Sequence, residues 1–130
     1  MLIAWIDGAS RGNPGPAGIG VYIEGRGGET LSEVSEYLGD NYTNNQAEYL
    51  ALVRALKECR RLGAKEVEVR SDSQLLVRQM NGRYRVRSDN IKNLHGKAID
   101  IESELGSVSY VHIDREDNTK ADELANRAID

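Results

Sequence analysis

Apolar residues in the first third of the chain occur in short runs that glycine-rich segments separate. Residues 2–6 form a continuous apolar run that ends at Asp7, and residues 18–24 alternate as GIGVYIE. The GRGGE segment at 25–29 indicates a turn, after which residues 30–37 can form a returning strand. Short runs with short connections are typical of antiparallel strands. We therefore predict three antiparallel strands, the first of which ends at Asp7.

The pattern then changes to the helical period of about 3.6 residues. The TNNQ sequence at 43–46 matches a capping box with Thr43 as the N-cap. This helix is predicted to continue to about Leu62 and to stop at Gly63. The remaining predicted elements are a strand at 66–71, a short helix from Ser73 that Asn81-Gly82 ends, a helix that begins at Ser88 or Asp89, a strand at 108–113 and a helix at 119–129.

The predicted order is βββαβααβα, with helices between the later strands. Such helices form right-handed crossovers between parallel strands. The predicted fold class is α/β, with a five-stranded mixed sheet in which three antiparallel strands are followed by two parallel ones. We expect the first and fourth strands to be parallel neighbours. Residues 1–130 are expected to form a single domain, because no linker, repeat or low-complexity segment interrupts them.

Composition restricts the class of protein and its compartment. Of 130 residues, 39% are hydrophobic and 29% are charged, and no apolar run approaches the roughly 20 residues of a membrane span. Cys59 is the only cysteine, so a reducing, cytoplasmic location is expected. The formal net charge of −4 argues against a nucleic-acid binder that relies on bulk positive charge. We expect a monomer that does not associate with membranes.

Four acidic residues lie where an unpaired carboxylate is unfavourable to bury. Asp7 ends the first predicted strand and Asp72 follows the fourth, so both would lie at the carboxyl ends of neighbouring strands. Glu48 lies in the first turn of the long helix, on its apolar stripe, and Asp122 lies one turn into the last helix. If these like charges are gathered together, they require a cation.

Carboxylate oxygens without histidine or cysteine beside them suit Mg²⁺ or Mn²⁺ rather than zinc. Two such ions can stabilise both the attacking and the leaving oxygen of a phosphoryl displacement. The pattern therefore favours a two-metal site, with Asp7 as a ligand. The glycine-rich loop that begins at Gly8 would let a phosphate backbone approach. Four of the negative charges belong to the proposed ligands, and two divalent ions would cancel them locally, so the rest of the surface would be near neutral.

Each of these carboxylates also has an ordinary structural explanation. Asp7 could cap a turn, and Asp72 could be a helix N-cap. Glu48 and Asp122 could simply complement a helix dipole. A shared metal site explains all four residues together, at two strand ends and two helix starts.

Four segments carry a resemblance to a known family. They are WIDGASRGNPGPAGIG at 5–20, YTNNQAEYLAL at 42–52, VRSDSQLLV at 69–77 and NTKADELANRA at 118–128. With these motifs in this order, nearly the whole chain resembles type 1 ribonuclease H. The resemblance implies a ribonuclease H-like sheet with helices on both faces. It also implies cleavage of the RNA strand of an RNA–DNA hybrid to leave a 3′-hydroxyl and a 5′-phosphate.

The resemblance further implies a role for each matching residue at the reaction centre. The catalytic metal ligands would be Asp7, Glu48, Asp72 and Asp122. Asp7 would bridge two Mg²⁺ ions, for which Mn²⁺ could substitute. His112, expected in the loop after the last strand, would assist proton transfer or product release. An exposed histidine at a strand end is the ordinary alternative.

A second set of matching residues would contact the substrate. Asn13, Asn45 and Gln74 match residues near the RNA strand, where amides can bind 2′-hydroxyls. Thr43 and Asn44 match residues near the DNA strand. Thr43 could contact a phosphate, act only as a cap, or do both. Asn13 could also be an ordinary turn residue.

The segment MNGRYRVRSDNIKN at 80–93 departs from the best-known bacterial members, which carry a long basic protrusion in this region. The chain therefore resembles the short form of the family. Arg83, Arg85 and Arg87 could meet phosphates from an exposed strand-like segment, or they could belong to a solvated charged loop. Asn41 lies where some members carry an arginine.

Two functional interpretations remain open from the sequence. The first is a metal-dependent endonuclease whose partner is an RNA–DNA hybrid. The second is a binding module of the same fold, for hybrids or for double-stranded RNA, with weak or broadened nuclease activity. The four acids favour the first interpretation, because a binding module would gain nothing from keeping them.

Overall fold

A computed structural model describes all residues from Met1 to Asp130, and its elements follow the predicted order. They are β1 (Leu2–Ser10), β2 (Gly15–Glu24), β3 (Thr30–Tyr42), α1 (Asn44–Arg61), β4 (Glu66–Ser71), α2 (Gln74–Met80), α3 (Asp89–Glu102), β5 (Ser107–His112) and α4 (Thr119–Ile129). A short 3₁₀ turn at Arg115–Asp117 precedes α4. None of the helices is both long enough and apolar enough to span a membrane.

The five strands form one sheet in the order β3-β2-β1-β4-β5. β1 and β3 each pair antiparallel with β2, whereas β4 pairs parallel with both β1 and β5. The predicted fold class is therefore confirmed. The predicted pairing of the first and fourth strands is confirmed as well.

The first three strands are longer than the sequence predicts. β1 continues past Asp7 to Ser10, β2 already begins at Gly15, and β3 reaches Tyr42. Cross-strand pairing is the reason, because Ser10 pairs with Ala17 and Gly15 pairs with Tyr42. The glycine- and proline-rich residues that resemble a loop are thus held partly in the sheet. The expectation that Asp7 ends the first strand is wrong, since Asp7 lies inside β1.

The start and end of α1 agree with the predicted capping signals. The Thr43 side chain accepts a hydrogen bond from the Gln46 backbone N–H at 3.1 Å, and the Gln46 side chain accepts one from the Thr43 N–H at 2.9 Å. The helix ends at Arg61, and Gly63 follows with φ +74°, where glycine is favoured. Local sequence therefore determines both ends of this helix.

Helices approach both faces of the sheet closely, and two glycines allow this. At Gly8 in β1, a Cβ atom would overlap the backbone of Ala47 and Glu48 in α1. At Gly20 in β2, a Cβ atom would overlap the backbone of Ala121 in α4. The expected helices on both faces are therefore present, with α1 on one face and α4 on the other. These contacts bring α1 and α4 to the same end of β1.

The main core lies between the sheet and the helices on one of its faces, which include α1 and α3. Its largest fully buried apolar side chains come from β1, β2, β4, α1 and α2. They are Tyr49, Ile6, Ile19, Ile23, Leu52, Leu56, Leu76, Val21, Val69 and Cys59. Because these buried side chains pack closely together, they hold the strands rigidly. The side chains at and near the strand ends are therefore held in fixed positions.

Candidate active site

Asp7 and Asp72 lie side by side because β1 and β4 are parallel neighbours. Ile6 pairs with Ser71 in the register, so each aspartate is the next residue along its strand direction. Asp72 lies one residue beyond β4, as predicted. It is not the cap of the following helix, because the N-cap of α2 is Ser73. The alternative explanation of Asp72 as a helix cap is therefore excluded.

Glu48 reaches the same place from α1. It lies beyond the first helical turn, which contains no acidic residue, so its predicted position in that turn is wrong by one residue. The helix-dipole explanation weakens for the same reason, because the dipole acts mainly within the first turn. The close contact of α1 with Gly8 places Glu48 against the strand residue that follows Asp7.

Asp7, Glu48 and Asp72 form a compact carboxylate cluster. One carboxylate oxygen of each residue lies within 4.8 Å of the others. Burial raises the pKa of Asp7 to about 8, and the charges of Asp72, Asp122 and Glu48 contribute to that shift. Burial also raises the pKa of Glu48 to about 7; Asp72 adds to this shift, whereas the Ser73 side chain opposes it. Without a cation, Asp7 and Glu48 therefore hold protons near neutral pH.

Asp122 joins this cluster from α4 on the other face of the sheet. Its carboxyl group lies near that of Asp7 and contributes to the raised pKa of Asp7. One Asp122 oxygen accepts a hydrogen bond from the Asn126 side-chain amide at 3.2 Å. The Arg115 guanidinium lies 3.9 Å from the same oxygen. Asp122 lies in the first turn of α4, as predicted.

These four carboxylates line a cleft of about 490 Å³, which we call the carboxylate cleft. Its other lining residues are Gly8, Ala9, Ser10, Arg11, Asn44, His112, Ile113, Asp114, Arg115 and Asn126. His112 of β5 pairs with Ser71 of β4, so it lies beside the residue that precedes Asp72. It is the last residue of β5 rather than part of the following loop, because β4 pairing extends β5 through it. Its side chain is exposed and can reach solvent.

A second cleft of about 390 Å³ adjoins the carboxylate cleft through Asn44. Its lining contains four of the expected substrate residues together with residues at the start of α3. The lining residues are Asn13, Thr43, Asn44, Asn45, Ser88, Asn90 and Ile91. We call this the amide groove. The Asn44 backbone N–H donates to the Asn13 side chain at 3.1 Å, so α1 and the β1–β2 connection are joined there.

Two further sets of predicted substrate residues lie outside both clefts. Gln74 is exposed at the first position of α2 and lines neither the carboxylate cleft nor the amide groove. Arg83, Arg85 and Arg87 are exposed between α2 and α3. Their segment belongs to no strand of the sheet and forms an exposed loop. A contact of these arginines with phosphates stays a prediction. No partner strand lies beside this segment to hold it extended.

The sequence profile of the family described as "Reverse transcriptase-like" matches residues 6–128. A protein of Marinobacter nauticus named "Ribonuclease H" is 32% identical to the chain, and the match covers 98% of the chain and 93% of that protein. The chain belongs to the ribonuclease H family.

Solved ribonuclease H structures share this fold closely. LC11-RNase H1, crystallised in complex with an RNA/DNA hybrid, is 49% identical, with a TM-score of 0.93 over 99% of this chain and 96% of that one. The N-terminal RNase H domain of a Mycobacterium tuberculosis protein, fused to maltose-binding protein, has a TM-score of 0.96 at 39% identity and covers 99% of this chain and 98% of that one. The sheet and its flanking helices are therefore those of the ribonuclease H fold.

Several relatives are longer than this chain. "Ribonuclease HI" of Halobacterium salinarum is 40% identical over 98% of the chain, which spans 63% of that protein. "Bifunctional protein Rv2228c" of Mycobacterium tuberculosis is also 40% identical, and the chain spans 34% of it. The chain thus corresponds to one part of these proteins.

Sequence reasoning missed one buried residue of this ribonuclease H site. The Asn118 side chain is fully buried, and its amide donates to the Ile6 carbonyl at 2.9 Å. The backbone carbonyl of Asn118 in turn accepts a hydrogen bond from the Asp122 backbone N–H at 3.1 Å. Asn118 therefore connects the residue before Asp7 to Asp122. The available signal was an asparagine directly before a helix that carries an acid in its first turn.

Proposed function

We propose that this chain is a Mg²⁺-dependent endonuclease that cleaves the RNA strand of RNA–DNA hybrids. The observation that carries the proposal is the compact cluster of Asp7, Glu48 and Asp72, whose carboxylate oxygens lie within 4.8 Å of one another. Asp122 faces the same cleft. Residues 1–130 would act as one catalytic domain and as a monomer, because one chain supplies all four carboxylates.

The donor set fits a hard divalent cation. All three clustered ligands are carboxylates, and no histidine or cysteine belongs to the cluster. Burial and like charge raise the pKa values of Asp7 and Glu48, so a bound cation would relieve the repulsion that keeps these groups protonated. We propose that Asp7, Glu48, Asp72 and Asp122 would hold two Mg²⁺ ions, and that Mn²⁺ can substitute.

The bound ions would supply Lewis-acid activation of water and neutralise charge at the scissile phosphate. The chain's own residues would orient the reacting groups. The interior of β1 would hold Asp7 in place, and the end of β4 would hold Asp72. The Asn126 amide would hold one Asp122 oxygen. His112 is exposed, lines the carboxylate cleft and would assist proton transfer to the leaving 3′ oxygen. The products would be a 3′-hydroxyl and a 5′-phosphate.

Selectivity for a hybrid would come from the amide groove. Its asparagines offer both donors and acceptors, which suit 2′-hydroxyls and base edges of an RNA strand. Thr43 lies at the N-terminus of α1, where a phosphate of the DNA strand would be favoured. Gly8 lines the carboxylate cleft and would leave room for the RNA backbone. Asn13, Asn45 and Gln74 would contact the RNA strand, and Asn44 would lie near the DNA strand.

The test is a cleavage assay on an RNA–DNA hybrid with a labelled RNA strand, in Mg²⁺, in Mn²⁺ and in EDTA. We expect metal-dependent cutting of the RNA strand by the wild-type chain. Asp72→Asn should lower the rate by about a thousandfold or more, because it removes one ligand charge from the cluster. The matched control is Asp100→Asn, which makes the same change at an exposed position on α3.

A parallel lane with an RNA–RNA duplex tests the second interpretation. Cutting of both duplexes would extend the substrate range to double-stranded RNA. Binding of the hybrid without cutting, by protein that circular dichroism shows to be folded, would replace the nuclease proposal with a binding module. Equal rates for Asp72→Asn and Asp100→Asn would exclude the carboxylate cluster as the reaction centre.

A further inference from the structure

A row of three side chains crosses β2, β1 and β4, two residues before Asp7 and Asp72, and takes no part in the proposed reaction. In the register, Trp5 of β1 pairs with Tyr22 of β2 on one side and with Arg70 of β4 on the other. Trp5 belongs to an apolar run that looks fully interior in the sequence. Its side chain is nevertheless only half-buried.

A cavity of about 330 Å³ opens beside this row. Its lining residues are Trp5, Tyr22, Glu24, Asp117, Thr119 and Lys120, and we call it the aromatic cavity. The two rings have centroids 5.7 Å apart and planes inclined at 50°. Its volume lies in the range of small-molecule sites.

Both rings already face cations of the chain itself. The Arg70 guanidinium lies 5.1 Å from the Trp5 ring centroid, and the Lys120 ammonium lies 5.4 Å from that of Tyr22. The negative face of an aromatic ring attracts such cations. Arg70 is also paired with Glu68 at 2.6 Å, whereas Lys120 has no carboxylate partner within 4.0 Å. Lys120 is therefore the more readily displaced of the two.

The carboxylates of the aromatic cavity are also without partners. Neither Glu24 nor Asp117 forms an ion pair or a side-chain hydrogen bond in the structure. With Lys120 included, the ionised lining carries more negative than positive charge. Two free carboxylates beside two aromatic faces attract a cationic ligand and repel a phosphate.

We propose that the aromatic cavity binds an aliphatic polyammonium ion, with one ammonium against the Trp5 and Tyr22 rings and others near Glu24 and Asp117. Lys120 acts as a tethered competitor, because its own ammonium occupies the Tyr22 face. The site is distinct from the carboxylate cleft, with which it shares no lining residue.

Trp5 provides the measurement, because it is the only tryptophan of the chain. Spermidine is titrated into the protein in Mg²⁺ buffer while tryptophan fluorescence is recorded, with NaCl of matched ionic strength as the control. We expect a saturable change with spermidine and none with NaCl. A change that follows ionic strength alone, or no saturable change, overturns the proposal. A saturable change with adenosine monophosphate but not with spermidine also overturns it and reassigns the cavity to a nucleotide.

Variants test the assignment of each charge. Glu24→Gln and Asp117→Asn should each weaken spermidine binding by about fivefold, the effect of losing one solvent-exposed charge contact. The matched control is Glu116→Gln, which removes the same charge from the residue next to Asp117 but outside the lining. Equal effects of Glu116→Gln and Asp117→Asn would overturn the proposal.

Lys120→Met gives the sharpest result, because its effect on affinity has opposite signs for the two classes of ligand. A cationic ligand competes with the Lys120 ammonium, whereas an anionic ligand would be held by it. Loss of the competing ammonium should strengthen spermidine binding by about threefold or more. Weaker binding would indicate a site that needs this cation, and would overturn the proposal. The titration is repeated in Asp72→Asn, which disrupts the carboxylate cleft. Unchanged spermidine affinity there separates the two sites, whereas lost affinity would place the ligand in the cleft.

Discussion

The carboxylate cleft and the aromatic cavity are both lined by parts of the same segment, residues 114–122, and both contain acidic residues. In the cleft the acids are packed together and partly buried, which raises the pKa values of Asp7 and Glu48. In the cavity Glu24 is half-buried, Asp117 is exposed, and aromatic rings belong to the same lining. The same residue type would therefore suit a divalent metal in one place and an aliphatic polyammonium ion in the other. The burial of the carboxylates and the groups beside them make the difference.

The largest expected effect on stability concerns the close contact between Gly8 and α1, which the carboxylate cleft requires and the aromatic cavity does not. Gly8→Ala should destabilise the chain by about 3 kcal/mol or more, because the new methyl group would overlap the α1 backbone at Ala47 and Glu48. Urea unfolding measures this change. The control is Gly96→Ala on α3, where a Cβ atom meets nothing within 4 Å. That control should be neutral or slightly stabilising, since alanine favours helix. A Gly8→Ala variant as stable as Gly96→Ala would refute the required contact.

The next effect concerns the pH dependence of the metal-free protein. Asp7 and Glu48 have folded-state pKa values of about 8 and about 7, above their ordinary values of 3.8 and 4.5. The folded state therefore binds protons more tightly than the unfolded state, and its stability falls as pH rises between these values. In EDTA, we expect a loss on the order of 3 kcal/mol between about pH 5.5 and pH 8.

Urea unfolding at both pH values, with and without Mg²⁺, measures this loss. Mg²⁺ should reduce it, since the ion favours the ionised carboxylates. Asp7→Asn should flatten the EDTA profile, because the strongest contributor is removed. A metal-free protein that becomes more stable over this range would contradict the assigned pKa shifts.

A smaller effect should separate proton transfer from metal binding within the cleft. His112→Ala is expected to lower the single-turnover cleavage rate by about tenfold to thirtyfold, the usual contribution of one general acid or base at the lower end. Mg²⁺ affinity, measured by calorimetry, should stay unchanged, because His112 is not in the carboxylate cluster. His95→Gln, a change outside the cleft, is the control. If His112→Ala weakened Mg²⁺ binding in proportion to the rate, the histidine would be a metal ligand instead.

The smallest expected effect concerns Asn118 as a positioning residue. Asn118→Ala removes the side-chain donor to the Ile6 carbonyl and should cost about 1–2 kcal/mol of unfolding free energy. Mg²⁺ affinity should fall as well, because Asn118 connects the β1 ligand to α4. The near-isosteric Asn118→Asp loses the same donor and should behave no better. Lower stability with unchanged Mg²⁺ affinity would restrict Asn118 to a purely structural role.

Much of this site could be predicted from the sequence because its signals are local. Capping residues and hydrophobic period predicted α1, α4 and β4 with almost their observed bounds. The placement of Asp7 beside Asp72 followed from crossover topology alone. The true length of β1 did not follow, because residues 8–10 look like a loop until β2 pairs with them.

The sequence by itself thus determined the order of elements, the parallel pairing of the central strands and the four carboxylates, since each depends on short-range patterns or simple topology. Tertiary structure alone decided how far Asp7 lies from its strand end and that Gly8 and Gly20 admit helices from opposite faces. It also decided that Asn118 connects the residue before Asp7 to Asp122. It also decided that Trp5 lies between Tyr22 and Arg70 beside an open cavity. The physical reason is that cross-strand register and helix–sheet contact join residues far apart in the chain, and no local pattern encodes those distances.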